Sequence, residues 1–284
     1  MNLAESQLRL LTRFMAEAPF QPATNLWRCV ELPVLADALP KTGRGLDVGC
    51  GDGVLTGILR DLAGASWTLT GIDLDPAETD LARRSGQYET VHTCGAATIP
   101  EPDAGFDFAF ANSVLEHIPK LSPCIPEIAR CLKPGGLFAA TVPSPYFHGC
   151  LRGPRFAPAR SAYLDEIDDR LAHRHYWSVA EWTLELHAAG LESVSISAYL
   201  SRRQVRRWEF WSHWTGGLLY RLGGKKKKPI AIQRKLGLRR GLPGALRFLS
   251  EPMARMIGAG VFGERVDSAA ANGCFLVLAR KRPV

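Results

Sequence analysis

Residues Gly43–Gly53 read GRGLDVGCGDG. A short apolar run with Leu46 and Val48 enters glycines at alternate positions, Gly49, Gly51 and Gly53. GVLTGILRDLA then carries its apolar residues at helical spacing. The pattern is a buried strand turning sharply into a helix. Glycine removes the side chain where the backbone must turn tightly or come close to a ligand. Two acids belong to the same reading. Asp47 sits at the end of the first strand, where its carboxylate can bind backbone N–H groups or receive a ligand's amino group. Asp73 lies 22 residues beyond Gly51, at the end of the next strand, WTLTGIDL. An acid there accepts hydrogen bonds from ribose hydroxyls. The loop has no Lys, and no Ser or Thr follows its glycines, so it is not a triphosphate-binding P-loop. A dehydrogenase fingerprint wants Gly or Ala three positions after Gly51, where this chain has Val54.

Outward from this turn, strands and helices alternate. After WTLTGIDL come a helix, PAETDLARRSG, a short strand, ETVHTC, and a strand, FDFAFAN. SPCIPEIARCLK reads as a helix ended by Pro134-Gly135-Gly136, and LFAATVP as a strand. This order implies right-handed βαβ units and a parallel sheet. Upstream, residues 3–18 read as an amphipathic helix, PFQPATN as a loop, and residues 26–39 as a helix kinked at Pro33. Downstream, residues 143–177 read as a long irregular stretch rich in Pro, Arg, His and Tyr, which suits a substrate lid. SVAEWTLELHAAG is a helix with Ser178 as N-cap, Glu181 closing a capping box and Gly190 as its stop. LESVSISAYL and GCFLVLAR are strands. About seventy residues separate them, so residues 201–272 read as an insertion near the end of the sheet.

Composition narrows the class. A hydrophobic content of 46% against 22% charged residues describes a globular chain with a sizeable core. No apolar run is long enough to span a membrane, and the mixed charges of MNLAESQLRLLTRF are not those of a signal peptide. The seven cysteines include no C-x-x-C pair, which suits reduced thiols in a cytoplasmic protein without a metal site. The net charge of +7 is localised. Ser201–Asn272 holds 16 Lys and Arg against 4 Asp and Glu, a net +12, which leaves −5 for the rest of the chain.

The series GLDVGCGDG, GIDLDP, IPEPDAGFDFAFANSVLEHI and IARCLKPGGLFAATVP resembles the small-molecule, type 11-like branch of the class I S-adenosylmethionine-dependent methyltransferases. The likeness runs from about Gly43 to Pro143, and HYWSVAEWTLELHAAGLESV is similar to the helix and strand that follow the substrate loop in that branch. The implied fold is α/β: a doubly wound, seven-stranded, mostly parallel, Rossmann-like sheet with N-terminal helices and a helical insertion before the last strand. The expected organisation is one domain: helices at 1–40, a cofactor-binding core at 41–143, a lid at 144–177, the basic insertion at 201–272 and a final strand at 273–281. The implied cofactor is S-adenosyl-L-methionine. By resemblance, Asp47, Gly49, Cys50 and Gly51 line its methionine end, Asp73 holds the ribose diol and Leu74 packs by the adenine. Ala96 meets the adenine edge through its backbone, and Asn112 sits near the sulfonium with Val114 and His117 beside it. His117 in LEHI suits orienting the loop better than chemistry. One position departs from the pattern: Gly95 stands where the family commonly has an acid facing the adenine amino group. Adenine recognition then falls to backbone, water or another side chain.

Methyl transfer is a direct displacement that needs alignment, with a base only where the nucleophile carries a proton. The lid supplies the candidates Tyr146, His173 and His175, of which His175 is the first choice. In the insertion, Trp208, Trp211 and Trp214 recur at three-residue spacing, close to one helical face, between Arg202, Arg203, Arg206 and Arg207 and the run Lys225–Lys228. Aromatic and cationic residues together suit an anionic membrane surface at the inner face, or a lipid-like substrate. A helical cap with a solvated basic face and a dimer contact is the second use. Nucleic acid is disfavoured, because no RNA-binding motif accompanies the charge. The expected activity is methyl transfer to a hydrophobic or lipid-linked small molecule. The alternatives are a soluble natural-product or sugar methyltransferase and a non-catalytic cofactor-binding protein.

Overall fold

The computed structural model describes residues 2–154, 156–222, 242–264, 266 and 272–283. Seven strands form one sheet: β1 (Thr42–Val48), β2 (Ser66–Asp73), β3 (Thr90–Thr93), β4 (Phe106–Asn112), β5 (Leu132–Pro143), β6 (Leu191–Ser201) and β7 (Asn272–Lys281). Their order is β3-β2-β1-β4-β5-β7-β6. The pairs β1–β2, β1–β4, β2–β3 and β4–β5 are parallel, and β7 runs antiparallel to β5. The chain winds outward from β1 to β3, then returns to lay β4 on the other side of β1. That reversal is a topological switch point, and ligands bind outside the carboxyl ends of the strands there. The doubly wound, mostly parallel sheet expected from the sequence is therefore present.

The central strands are buried on both faces, as parallel strands must be. Phe106, Phe108, Phe110, Ala109 and Ala111 of β4 are all buried. The Phe108 and Phe110 rings gather around Trp67 at 5.6 and 6.2 Å. Gly45 makes room for this cluster, since a Cβ there would stand 2.3 Å from the Phe108 ring.

The helices of the winding are α3 (Val54–Ala63), α4 (Pro76–Arg84), α5 (Cys124–Cys131) and α8 (Val179–Ala188). The capping box at Ser178 is complete, with Ser178 accepting from the Glu181 N–H and Glu181 accepting from the Ser178 N–H at 2.7 Å. Gly190 follows the helix at φ +76°.

Several boundaries differ from the sequence reading. α2 (Pro22–Ala38) starts inside the expected PFQPATN loop and continues through Pro33. Proline suits the first turn of a helix because the N–H it lacks would find no partner there. α5 ends at Cys131, and Pro134-Gly135-Gly136 are not its stop but part of the β5 span. Leu132 pairs with Phe106 and Leu137 with Phe108, so the intervening residues bulge out. The bulge is tied down by Arg280 Nη1 on the Gly135 carbonyl at 3.0 Å and by Lys133 on Asp107 at 2.7 Å. The stretch 144–177 is not irregular throughout. It contains the short helix α6 (Phe147–Cys150) and a 15-residue helix, α7 (Ala157–Leu171). The second has Pro158 in its first turn and Ala, Leu, Asp, Glu and Arg along its length, all of which a helix accepts.

Within the single domain expected from the sequence, contacts group into two compact units. One comprises residues 1–31, 146–173 and 198–273, and the other residues 32–145, 174–197 and 274–284. The second contains nearly all of the sheet. The first contains the N-terminal helix α1 (Leu3–Glu17), helix Ala157–Leu171 and the described parts of the insertion: α9 (Arg202–Ser212), a π-turn at His213–Gly217, helix Leu218–Leu222, a 3-10 helix at Gly244–Leu249 and helix Ser250–Ile257. Its core is aromatic. Trp27, Phe147 and Trp208 meet edge to face at 5.5–5.8 Å. Two carboxylates are buried there with full sets of donors. Glu31 takes Trp27 Nε1, Arg28 and the Tyr199 hydroxyl. Glu209 takes the N–H groups of Arg152 at 2.7 Å and Gly153 at 2.9 Å, and the Tyr163 hydroxyl.

Replacing Ser178 with Ala should cost about 1 kcal/mol by removing the cap of α8. The check is a lower midpoint of urea unfolding, with Ser178→Thr remaining near the parent.

Candidate functional site

The site is built at the carboxyl ends of β1, β2 and β4, all within the sheet-bearing unit. The glycine turn is clamped to β2 from below. Gly49 and Cys50 both donate their N–H to the Ile72 carbonyl, at 2.8 and 2.9 Å. Gly49, Gly51 and Gly53 have φ of +80°, +54° and +81°. Their reasons differ. A Cβ on Gly49 would press on Val114 at 2.4 Å, and one on Gly53 on Ser85 at 2.7 Å, whereas one on Gly51 would meet nothing within 4 Å. The first and third glycines therefore serve packing, and the second leaves open backbone for a ligand to approach.

Asp73 ties this turn to β2. Its Oδ2 accepts the Gly51 N–H at 3.1 Å and its Oδ1 the Asp75 N–H at 2.9 Å. Asp47 is buried, with its Oδ2 accepting the Thr56 hydroxyl at 2.6 Å and the Tyr88 hydroxyl at 2.7 Å. Burial pushes the Asp47 carboxyl up to about 6, the two hydroxyls draw it back down, and neighbouring Asp73 adds to the rise. Burial and the nearby acids raise the Cys50 thiol, so it stays protonated and is no nucleophile. Burial, followed by Asp47, raises the Tyr88 phenol, which therefore remains a donor.

Across the switch point, Asn112 pairs with Thr141 in the β4–β5 register. Ser113 follows in the left-handed region at φ +51°. Its N–H donates to both the carbonyl and the hydroxyl of Thr141, at 3.1 and 3.0 Å, which holds the bend. Such a conformation costs about 1–3 kcal/mol outside glycine and marks sites where structure is imposed by surroundings. Val114 lies under Gly49, and Leu115–His117 forms one 3-10 turn.

Leu74 is 73% exposed and stands beside Gly95, 3.5 Å from where a Cβ would be. Ala96 is buried close by. The loop carrying Gly95 and Ala96 is fixed from α5. Glu127 accepts the Ile99 N–H at 2.7 Å, and Arg130 donates to the carbonyls of Ile99 and Glu101 at 3.0 and 2.9 Å. Arg130 and the Ile99 N–H together hold the Glu127 carboxyl below the usual carboxylate range.

The structure thus brings Asp47, Gly49, Cys50, Gly51, Asp73, Leu74, Ala96, Asn112, Val114 and His117 into one unit, at or just beyond the carboxyl ends of its strands. His175 belongs to this unit too. Its Nε2 is 2.6 Å from the Ile118 carbonyl, and the Arg174 N–H donates to the Glu116 carbonyl at 2.7 Å. Tyr146 and His173 belong to the other unit. Tyr146 is exposed, and His173 is buried against Phe147 at 6.0 Å between centroids. Sequence reasoning missed Thr56, Tyr88, Ser113 and Arg130. Thr56 gave one faint signal, a hydroxyl among the apolar residues of α3. Among the described residues, no group of three or more His, Cys, Asp or Glu could hold a metal ion.

A doubly wound sheet of order β3-β2-β1-β4-β5-β7-β6 with β7 antiparallel, carrying a glycine turn after β1 and an acid closing β2, is the arrangement of the class I S-adenosylmethionine-dependent methyltransferases. Comparison with known proteins agrees. The family described as Methyltransferase domain matches residues 46–140. The chain is 30% identical over 190 residues to the ubiquinone biosynthesis O-methyltransferase of Bordetella avium, covering 62% of this chain and 73% of that protein. It is 29% identical over 213 residues to the dimethylglycine N-methyltransferase of Parasynechococcus marenigrum, covering 64% and 72%. An S-adenosylmethionine-dependent methyltransferase structure from Thermotoga maritima shares the fold, with a TM-score of 0.56 at 17% identity over 97% of this chain and 99% of that one. The chain belongs to this methyltransferase family, and its cofactor is S-adenosyl-L-methionine.

The raised Asp47 carboxyl makes a signed prediction. With the cofactor's ammonium group against Asp47, as the resemblance implies, the ionised carboxylate would be favoured, and affinity for the cofactor should rise with pH through about 6, with proton release on binding. In the protein without cofactor the same shift runs the other way. The folded carboxyl holds its proton up to about 6 and the unfolded one only to its ordinary value of 3.8, so this group's contribution to stability falls across that interval. Calorimetric titration from pH 5 to 8 reads the first effect. Asp47→Asn should flatten it, and Tyr88→Phe, by removing a donor to the carboxylate, should move its midpoint upward. Separately, Arg130→Ala should weaken cofactor binding by loosening the loop 95–101, with the far-ultraviolet spectrum preserved.

Proposed function

We propose that this chain transfers a methyl group from S-adenosyl-L-methionine to a hydrophobic or lipid-linked small molecule, of quinone, isoprenoid or glycolipid-precursor type. The observation that carries the acceptor class is the likeness to a ubiquinone biosynthesis O-methyltransferase over 73% of that protein's length. The basic, aromatic-rich insertion supports it. Peripheral contact with an anionic membrane face is part of the same reading. No helix among the described residues is long and apolar enough to cross a membrane, and the run Lys225–Lys228 lies outside the described residues.

The residues of the sheet-bearing unit fit the cofactor. Open backbone at Gly51 and the N-terminus of α3 suit its carboxylate end, and Asp47 suits its ammonium group. Gly49 and Cys50 complete that wall. Asp73 takes the ribose diol while its backbone bonds fix its direction. Leu74 covers one adenine face and the Ala96 backbone meets its edge, which relieves Gly95 of the usual acid. Asn112, Val114 and His117 border the sulfonium. The cofactor, when bound, supplies an electrophilic methyl group, and the protein's part is alignment and water exclusion.

His175 remains the first candidate for handling an acceptor proton. Its Nε2 faces a carbonyl, so that nitrogen carries the hydrogen and Nδ1 is the one able to accept a proton. Tyr146, which is exposed, is the second candidate. His173 is buried against an aromatic ring and is better suited to packing.

The test is methyl transfer from labelled cofactor to a panel: a hydroxylated quinol with an isoprenoid tail, the same head group without a tail, a sugar, and dimethylglycine. A preference of at least about tenfold in kcat/KM for the tailed quinol is expected, since burying even two methylenes is worth that much. Equal rates with and without the tail, or transfer to dimethylglycine alone, would sink the acceptor class. Binding without transfer to any acceptor would leave a cofactor-binding protein. For His175, a base role requires that both His175→Ala and His175→Gln lose turnover and the acidic limb of the pH profile. Rescue by Gln, whose amide can still donate to Ile118, would mark a positioning residue.

A further inference from the structure

The expected tryptophan face is not the one the structure exposes. Residues three apart fall back by about 60° per step around an α-helix. Trp208 is accordingly buried, Trp211 is half-buried with its Nε1 on the Ile257 carbonyl at 3.2 Å, and Trp214 is 60% exposed. A different stripe reaches the surface. Arg202, Arg206, Phe210, Trp214 and Leu218 recur every four residues and are all exposed, Phe210 at 49% and Leu218 at 44%. A four-residue stripe creeps forward by about 40° per step on an α-helix. The π-turn at His213–Gly217 is wider than an α-turn, so it moves the stripe back toward its line.

The charges within the stripe itself are of one sign. The acid of α9, Glu209, is turned inward onto Arg152, Gly153 and Tyr163, while Arg202, Arg203 and Arg206 are exposed. Arg203 pairs with Glu264 at 2.7 Å, beside the stripe. The back of α9 is fixed. Arg207 donates to the carbonyls of Ile257 and Met256 and lies over the rings of Phe210 and Trp211 at 5.8 and 5.6 Å. The exposed rings therefore stand on a braced support, so little ordering is needed when they bind.

We propose that this stripe is a bilayer-docking surface, with Phe210, Trp214 and Leu218 entering the headgroup–acyl boundary and Arg202 and Arg206 meeting anionic headgroups. Rings and an aliphatic residue at one end of a helical line, with arginines at the other, match the depth order of such an interface. The proposal rests on the reading of a peripheral enzyme but on no particular acceptor.

The experiment is cosedimentation of the full chain with phosphatidylcholine vesicles, with and without phosphatidylglycerol, and no acceptor present. Binding should require phosphatidylglycerol and fall with salt. Arg206→Glu should weaken it at least about fivefold, and Phe210→Ser with Trp214→Ser about tenfold or more. The far-ultraviolet spectrum and the urea-unfolding midpoint of each variant should stay near the parent values and certify folding of the unit that carries the stripe. Three results would overturn the proposal: stripe variants that bind like the parent, binding abolished by Lys225–Lys228→Ala but untouched by the stripe variants, or retention of an RNA probe with no vesicle binding. Failure of the acceptor class would show instead as absent transfer to tailed quinols with vesicle binding intact.

Discussion

The cofactor side of this protein depends on one carbonyl. Ile72, at the end of β2, receives two successive N–H groups from the glycine turn that leaves β1. That forked bond fixes the turn's height over the sheet, and Asp73, the next residue, fixes its tilt through Gly51. The geometry works only with side chains missing at Gly49 and Gly53, because Val114 and Ser85 fill those spaces. Val114 belongs to the segment after β4. The same few atoms thus join three strand ends, and a ligand meets a surface already assembled.

Asp47 adds a second constraint. A carboxylate this deep is held near neutrality by lack of solvent, and the hydroxyls of Thr56 and Tyr88 keep ionisation within reach. Donors that favour the charged form oppose a burial that disfavours it. The balance leaves a group that can answer an arriving cation. Glu31 and Glu209 in the other unit show the contrasting use of buried acids. Glu31 joins its own helix to Tyr199, and Glu209 joins α9 to the backbone of Arg152 and Gly153.

The sheet was legible because its signals are local. The apolar run before the glycines, the FDFAFAN strand and the Ser178–Glu181 box each depend on residues within a turn or two of one another. The acid–glycine turn and Asp73 were legible for the same reason: a spacing carries them. Tyr88 and Arg130 were not, since each acts on atoms 41 and 29 residues away, and nothing near either residue foretells that. The bulge at Pro134–Gly136 was misread because Pro and Gly end a helix and bend a strand equally well. Helix Ala157–Leu171 was hidden by the proline, arginine and histidine around it, which weakened the apolar rhythm. Trp208 turns inward because residues three apart fall back around a helix, so three-residue spacing does not keep the tryptophans on one face.

The strand order has a consequence for how the molecule comes into being. β7 lies between β5 and β6, yet its residues follow all other strands in the chain. Until they emerge from the ribosome, β5 presents an open edge lined by Phe138 and Ala140, and β6 has no neighbour. Such an edge invites pairing with other chains. Synthesis therefore passes through a stage in which the cofactor-binding half can fold while its sheet is unsealed, and the insertion of residues 201–272 lengthens that stage.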